Sequence, residues 1–215
     1  MDSPFRRVAP CPLLAPVPVV MAAVGGKSTP PNIITLAWVG TVCSKPPMLS
    51  ISVRKERYSY GLILETGEFT VNLADEGLLR PMDFCGVKSG RDTDKFKAAG
   101  LTPISLPEMA YAPGIREAPV ILCCKVASVQ RLGSHDLFLA EITGVYVRGD
   151  LMDDKGAVRL DRVSLVGYSH GVYQTKTGAE GFFGFSVARK RVLKKRARAM
   201  KQPGAGGGKG EDGHA

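Results

Sequence analysis

The sequence predicts a mainly β protein, a closed and mostly antiparallel barrel with short helical insertions. Three observations carry this. Strand-like runs recur along the whole chain and are joined by hairpin-like links. Within the body, before the basic tail, helical periodicity is confined to short pieces at 57–67 and 76–100. The chain has 215 residues, 44% of them apolar, which suffices for one domain with a substantial core or for two small ones. No apolar run is long enough to span a membrane.

Each element follows in order. Residues 17–24 read as a first strand, followed by a Gly25-Gly26 turn. The stretch NIITLAWVGTVCSKPPMLSISVR, 32–54, reads as two strands, 33–43 and 48–54, around a turn at Ser44-Lys45-Pro46-Pro47. Residues 57–67, RYSYGLILETG, have apolar positions spaced for a short helix that stops at Gly67. EFTVNLA, 68–74, alternates like a strand. Residues 76–100 read as two helical pieces interrupted by a loop at 86–91, with Asp92 as N-cap of the second piece and Gly100 as its C-terminal cap. Two long strands, 119–133 and 135–150, are joined by a Gly133-Ser134 turn. LVGYSHGVYQTKTG, 165–178, closes the body. Beyond it, 185–201 reads as a basic helix, and QPGAGGGKGEDGHA, 202–215, as a Gly-rich disordered tail.

The net charge of +9 suggests a nucleic-acid partner until it is mapped. Residues 188–201, ARKRVLKKRARAMK, hold eight Lys/Arg and no acid, and residues 202–215 carry −1. Residues 1–187 therefore carry only +2. The body is nearly neutral, and the basic signal belongs to the tail. Such a segment can touch nucleic acid or anionic lipid, but it reads first as a solvated extension, so neither a nucleic-acid nor a membrane partner is expected. Five cysteines, an odd number, argue against a disulfide framework. Cys123-Cys124 would point to opposite faces of a strand, and no CxxC or zinc-finger spacing occurs. Reduced thiols in a cytoplasmic protein are the simplest reading. The N-terminal stretch loosely imitates a signal peptide, but Pro10, Pro12, Pro16 and Pro18 spoil its apolar region as a helix.

Five pieces, in this order, carry a resemblance: NIITLAWVGTVCSKPPMLSISVR, GEFTVNLA, DFCGVKSGRDTDKF, LGSHDLFLAEI and YSHGVY. The chain resembles the flavin reductase-like family with the FMN-binding split barrel, and within it the flavoredoxin-like branch. The resemblance implies a split-barrel domain, placed at 14–180; composition sets beside it an extension over 1–13, a basic helical extension over 181–201 and the tail over 202–215. It also implies a homodimer with FMN in a cleft beside the dimer interface.

The residues suit that cofactor. A dianionic phosphate needs backbone N–H groups, hydroxyls and cations. The flavin ring needs apolar walls and donors near its N1–C2 carbonyl. Ser52 and Arg54 share a strand face and suit the phosphate. Thr41, Cys43 and Ser44 lead into a turn able to hold ring or ribityl oxygens, and Thr35, Ala37 and Trp38 would line the ring. In the second piece the resemblance favours ligand binding through Cys85, Gly86, Ser89 and Lys95, with Lys88 and Arg91 nearby, and it extends the first piece's wall back to Asn32. A bland reading stands beside each. Strand hydroxyls commonly satisfy neighbours or face water. Arg54, with Lys55 and Arg57, reads equally as solvated charge. Trp38, the only tryptophan, is by default a core anchor.

His135 opens a strand after a tight turn, where it would orient a nicotinamide or shuttle a proton at the flavin. The alternative is a histidine simply satisfied by Asp136 or a carbonyl. Glu141, in an apolar run, is expected to be buried and paired. Tyr168, His170 and Tyr173 would cover the cofactor or pack at the dimer seam. There is no GxGxxG loop at a strand–helix junction and no cysteine cluster for an iron–sulfur centre, so any NAD(P)H would be an exchanging substrate. The expected activity is an FMN-dependent oxidoreductase taking electrons from NAD(P)H or a redox protein and passing them to an acceptor, such as free flavin, oxygen or a partner oxygenase. The rivals are a flavoredoxin-type electron-transfer protein without its own NAD(P)H site, and a nucleic-acid binder acting through its tail.

Overall fold

The computed structural model describes residues 4–175 and 189–191. The expected basic helix at 185–201 and the tail at 202–215 lie, apart from residues 189–191, outside the described residues. The strands are β1 (Val17–Pro18), β2 (Val20–Val24), β3 (Asn32–Leu36), β4 (Val39–Ser44), β5 (Pro47–Arg54), β6 (Glu68–Leu73), β7 (Pro103–Ile104), β8 (Gly114–Ile115), β9 (Val120–Arg131), β10 (His135–Val147), β11 (Val166–Ser169) and β12 (Val172–Thr175). The α-helices are α1 (Tyr58–Thr66), α2 (Leu79–Val87) and α3 (Lys95–Ala99). No helix of the described residues is long and apolar enough to cross a membrane.

Seven strands form one antiparallel sheet in the order β3-β2-β6-β9-β10-β5-β4. Its two edge strands, β3 and β4, are consecutive in the chain and are separated only by Ala37-Trp38. Two residues span little distance, so the sheet must curl until its edges meet. The single strand expected at 33–43 is therefore two. The chain leaves the hydrogen-bonding partner β2 on one edge and bends at Ala37-Trp38 to join β5 on the other. The Ser52 N–H donates to the Trp38 carbonyl, 2.9 Å, carrying the β4–β5 ladder up to the bend. Register shifts at Leu139/Ala140 and Ile142/Gly144 in β10, and at Thr41/Cys43 in β4, add the twist that such closure requires.

The strand expected at 17–24 is also interrupted. Val17–Pro18 leave the barrel to pair with β11, and with the β11–β12 hairpin they form a separate three-stranded sheet, β1-β11-β12. Its hairpin turns through His170 (φ 45°) and Gly171 (φ 86°), the positive angles that a two-residue turn of matching twist demands.

The core has two layers because the inner strands bury both faces. All five residues of β2 are buried. Val20, Ala22 and Val24 enter the barrel beside Ile51, Ile63, Phe69 and Phe138. Met21 and Ala23 face outward and pack with Met82, Cys85 and Phe96 of α2 and α3. Cys123 and Cys124 divide between the layers in the same way. Each fully buried phenylalanine contributes roughly 1.5–3 kcal/mol.

Helix α1 stops at Gly67 (φ 70°), whose N–H bonds to the Ile63 carbonyl. α3 stops at Gly100 (φ 66°). Its N-cap is Asp94, not Asp92: the Asp94 carboxylate accepts the Lys97 N–H, 3.1 Å. Glu141 is exposed rather than buried, because strand alternation turns it outward from Ala140, which lies inside the barrel. The glutamate that is buried is Glu68, which accepts the backbone N–H groups of Ala110, Tyr111 and Ala112 and ties that loop to β6.

Candidate functional site

Alternation along β5 builds the first wall. Leu49, Ile51 and Val53 fill the barrel, so Ser50, Ser52 and Arg54 face out. The end of α2 and the loop after it approach this face from the other side. Three contiguous chambers run along this face. A basic chamber of about 350 Å³ shares Arg54, Arg57 and Gly86 with a central one of about 390 Å³. The central chamber shares Ala37, Trp38, Ser52 and Tyr168 with an apolar one of about 440 Å³.

Five cations line the basic chamber, Arg54, Arg57, Lys88, Arg91 and Lys95, against the single acid Glu56. Arg54 Nε lies 2.7 Å from Glu56 and is half-exposed. Arg91 donates to the Glu56 carbonyl, 3.2 Å, and its guanidinium lies 5.7 Å from the centre of the Tyr58 ring. Lys95 is different, being only 3% exposed. Its Nζ donates to the carbonyls of Ile33 (2.7 Å) and Cys85 (2.8 Å), stapling β3 to the end of α2. Burial lowers the Lys95 pKa. The Asn32 Nδ2 donates to Ser59 Oγ, 2.8 Å, while its Oδ1 is buried without a partner among the described residues. Gly90 presses on that oxygen: a Cβ there would stand 2.3 Å from it.

In the central chamber Trp38 and His135 stack, with ring centroids 5.9 Å apart and planes 13° apart. His135 faces Arg54 across β10 and β5, and its Nδ1 lies 2.9 Å from Ser134 Oγ. Its partner is thus neither Asp136 nor a carbonyl. Asp136 is buried on the other face, where Tyr60 OH donates to it at 2.6 Å. Trp38 is 49% exposed, which excludes the role of core anchor. Thr35 Oγ1 donates to the Met82 carbonyl, binding β3 to α2. Tyr168 and Tyr173 close one side. Tyr173 OH donates to Asp83, 2.9 Å, and burial together with that carboxylate pushes the phenol up to about 12.

The expected residues divide accordingly. Asn32, Arg54, Cys85, Gly86, Ser89 and Lys95 meet in the basic chamber. Thr35, Ala37, Trp38, Ser52 and His135 meet in the central one. Thr41, Cys43 and Ser44 line none of the three chambers, because they continue along β4 towards the far end of its hairpin. Cys85 contributes its carbonyl, and its thiol is pushed up to about 11 by burial. Arg57 was not among the expected ligands. Its N–H bonds to the Arg54 carbonyl, 3.1 Å, and the three-residue spacing across that turn is the signal that pairs the two arginines.

The donor set fits a phosphate ester carrying a hydroxylated chain. A buried ammonium held by neutral carbonyls needs an anion to offset its lost hydration. An orphaned amide oxygen needs a hydroxyl donor. The stacked Trp38–His135 pair beside Ala37 offers a flat wall to a ring.

Fold and site together define a curled antiparallel barrel with a trough on its outer face that is lined at one end by five cations. Residues 13–175 match the flavin reductase like domain, and the chain belongs to that family. It is 32% identical over 124 residues to an uncharacterized protein of Archaeoglobus fulgidus, covering 58% of this chain and 69% of that one. It is 32% identical over 177 residues to an uncharacterized protein of Aeropyrum pernix, covering 76% of this chain and 64% of that one. The chain thus spans about two thirds of these relatives' length. Among solved structures, the flavoredoxin of Desulfovibrio vulgaris superposes with TM-score 0.77 at 28% identity, over 83% of this chain and 97% of that one. The flavoredoxin of Methanosarcina acetivorans gives 0.74 at 27%, over 86% and 100%. These likenesses support a flavin-related redox role.

Proposed function

We propose that the protein is an FMN-dependent oxidoreductase. The observation that carries this reading is the basic chamber with its buried, acid-free Lys95, opening into a chamber walled by Trp38 and His135. The phosphate goes to Arg54, Arg57, Lys88, Ser89, Arg91 and Lys95. The ribityl hydroxyls meet the free Asn32 Oδ1, and the ring lies along Thr35, Ala37, Trp38 and Ser52.

Bound there, FMN supplies two-electron chemistry with hydride donors and one- or two-electron chemistry with acceptors. The protein's part is to hold, orient and shield. Lys95 fixes β3 and α2 at their observed separation and presents its charge without a competing carboxylate. Trp38 keeps water off one side of the ring. His135, held by Ser134, is within the chamber to orient a nicotinamide or to carry a proton at Nε2. NAD(P)H enters as an exchanging substrate. The flavoredoxin likenesses favour a second reading, an electron-transfer protein reduced by a redox partner and without NAD(P)H oxidation of its own.

The exposed apolar side chains Val42, Val129 and Val145 on β4, β9 and β10 support a homodimer, and free cysteines throughout support a reducing, cytoplasmic setting. The purified protein should show flavin absorption bands, with FMN released on denaturation. Anaerobic bleaching by NADH or NADPH supports the first reading. Bleaching only by a reduced redox protein supports the second, and the absence of flavin under reconstitution refutes both.

A further inference from the structure

The apolar chamber next to the proposed ring site is built differently from the other two. One wall is the bend Ala37-Trp38 and the start of β4. The opposite wall is the N-terminal segment, through Pro12, Leu14 and Val17. Among the described residues no Asp, Glu, Lys or Arg lines it. Its polar groups are few: the Ser50 and Ser52 hydroxyls from one strand face, and Tyr168 and His170 from the β11–β12 hairpin. Its volume, about 440 Å³, is in the range of small-molecule sites. Trp38 and Ser52 belong both to it and to the central chamber, so an occupant would lie directly beside whatever the central chamber holds.

Charge decides which molecule fits. A dinucleotide brings a pyrophosphate that needs cations, and this chamber has none, whereas the basic chamber has five. We propose that the apolar chamber is a separate binding subsite for an uncharged one- or two-ring aromatic compound bearing an oxygen substituent. The ring is sandwiched between the Trp38 bend and the N-terminal segment, and the oxygen bonds to Ser50, Ser52 or Tyr168. This rests on the oxidoreductase reading only for its purpose, which is to hold the electron acceptor. The binding itself depends on protein walls alone.

Gly40 makes the test clean. It lines this chamber and neither of the other two, and a Cβ built on it meets nothing within 4 Å. Gly40→Phe therefore directs a ring into this chamber from a position that is not among the proposed FMN contacts. Equilibrium dialysis of the full-length protein as purified would compare 2-naphthol with 2-naphthol-6-sulfonate, which adds one charge. We expect 2-naphthol to bind at least tenfold tighter than the sulfonate. Its affinity should fall at least tenfold in Gly40→Phe while flavin content stays at the parent level, and fluorescence of the single tryptophan, Trp38, should respond to 2-naphthol in the parent only. Equal affinity for the two probes, no binding of 2-naphthol, or unchanged binding in Gly40→Phe would overturn the proposal. Loss of flavin from the parent would count against the FMN reading alone, because dialysis still reports the chamber.

Discussion

Lys95→Met removes a charge and three donors at nearly constant side-chain length. In the native protein Nζ donates to two carbonyls at 2.7 and 2.8 Å. Leaving those carbonyls unpaired costs about 1–3 kcal/mol each. Against this stands the relief of an ammonium buried without an acid, whose desolvation also amounts to several kcal/mol. The two effects oppose each other and are of similar size, so the flavin-free variant should unfold within about 2 kcal/mol of the parent. A bound phosphate changes the balance, because it offsets the lost hydration of the charge. Losing that charged donor costs about 1.5–3 kcal/mol, a ten- to hundred-fold loss of FMN affinity. Riboflavin, which lacks the phosphate, should lose much less.

The same lysine sets a pH dependence. Burial holds its pKa below the ordinary 10.5. Between the lowered folded value and 10.5, the unfolded chain binds more protons than the folded one, so stability of the flavin-free protein rises with pH in that window. The methionine variant lacks this rise. FMN binding favours the charged form and weakens over the same interval. Fluorescence titrations with FMN and riboflavin, with circular dichroism to confirm the fold, supply the assay. An unchanged FMN-to-riboflavin ratio in a folded variant would refute the reasoning and leave Lys95 as a staple only.

Four further outcomes follow from the geometry. Arg54→Ala should weaken FMN binding by no more than about 1 kcal/mol, or fivefold, because the side chain is half-exposed and already paired with Glu56; a hundredfold loss by dialysis would contradict this. Gly90→Ala should displace Asn32 and Tyr58, whose atoms lie 2.3 and 2.7 Å from the added carbon, lowering both FMN affinity and, by about 1–3 kcal/mol, denaturant stability. In a thiol-labelling assay Cys11 and Cys43 should react fast and the buried Cys85, Cys123 and Cys124 only after unfolding, since burial pushes the first two of these up to about 11 and the third higher; a third fast thiol would refute the packing. Tyr60→Phe should flatten the acid limb of stability against pH. The Tyr60 hydroxyl is the main cause that holds Asp136 below its ordinary 3.8, and the stability it provides is present above that value and lost as pH falls through the lowered one.

Local patterning alone determined much of this protein. Alternation placed Ser52 and Arg54 on one face and Cys123 and Cys124 on opposite faces, and Gly67 and Gly100 ended their helices because left-handed backbone is inexpensive only there. The mainly β class and the family were legible for the same reason: strand periodicity and the order of motifs are one-dimensional properties. Closure was not. Residues 33–43 read as one strand because every residue in them suits a strand. Only the curling of the sheet, which puts β3 and β4 on opposite edges, forces a bend at Ala37-Trp38 and exposes Trp38 to His135. Burial of charge was equally hidden. Lys95 read as one of several cations able to reach a phosphate, with no sign that it is buried, and Glu141 read as a buried acid. Which of them faces the interior depends on what packs opposite, and that is fixed by β3, α2 and the strand register, which residues far apart in the chain create together.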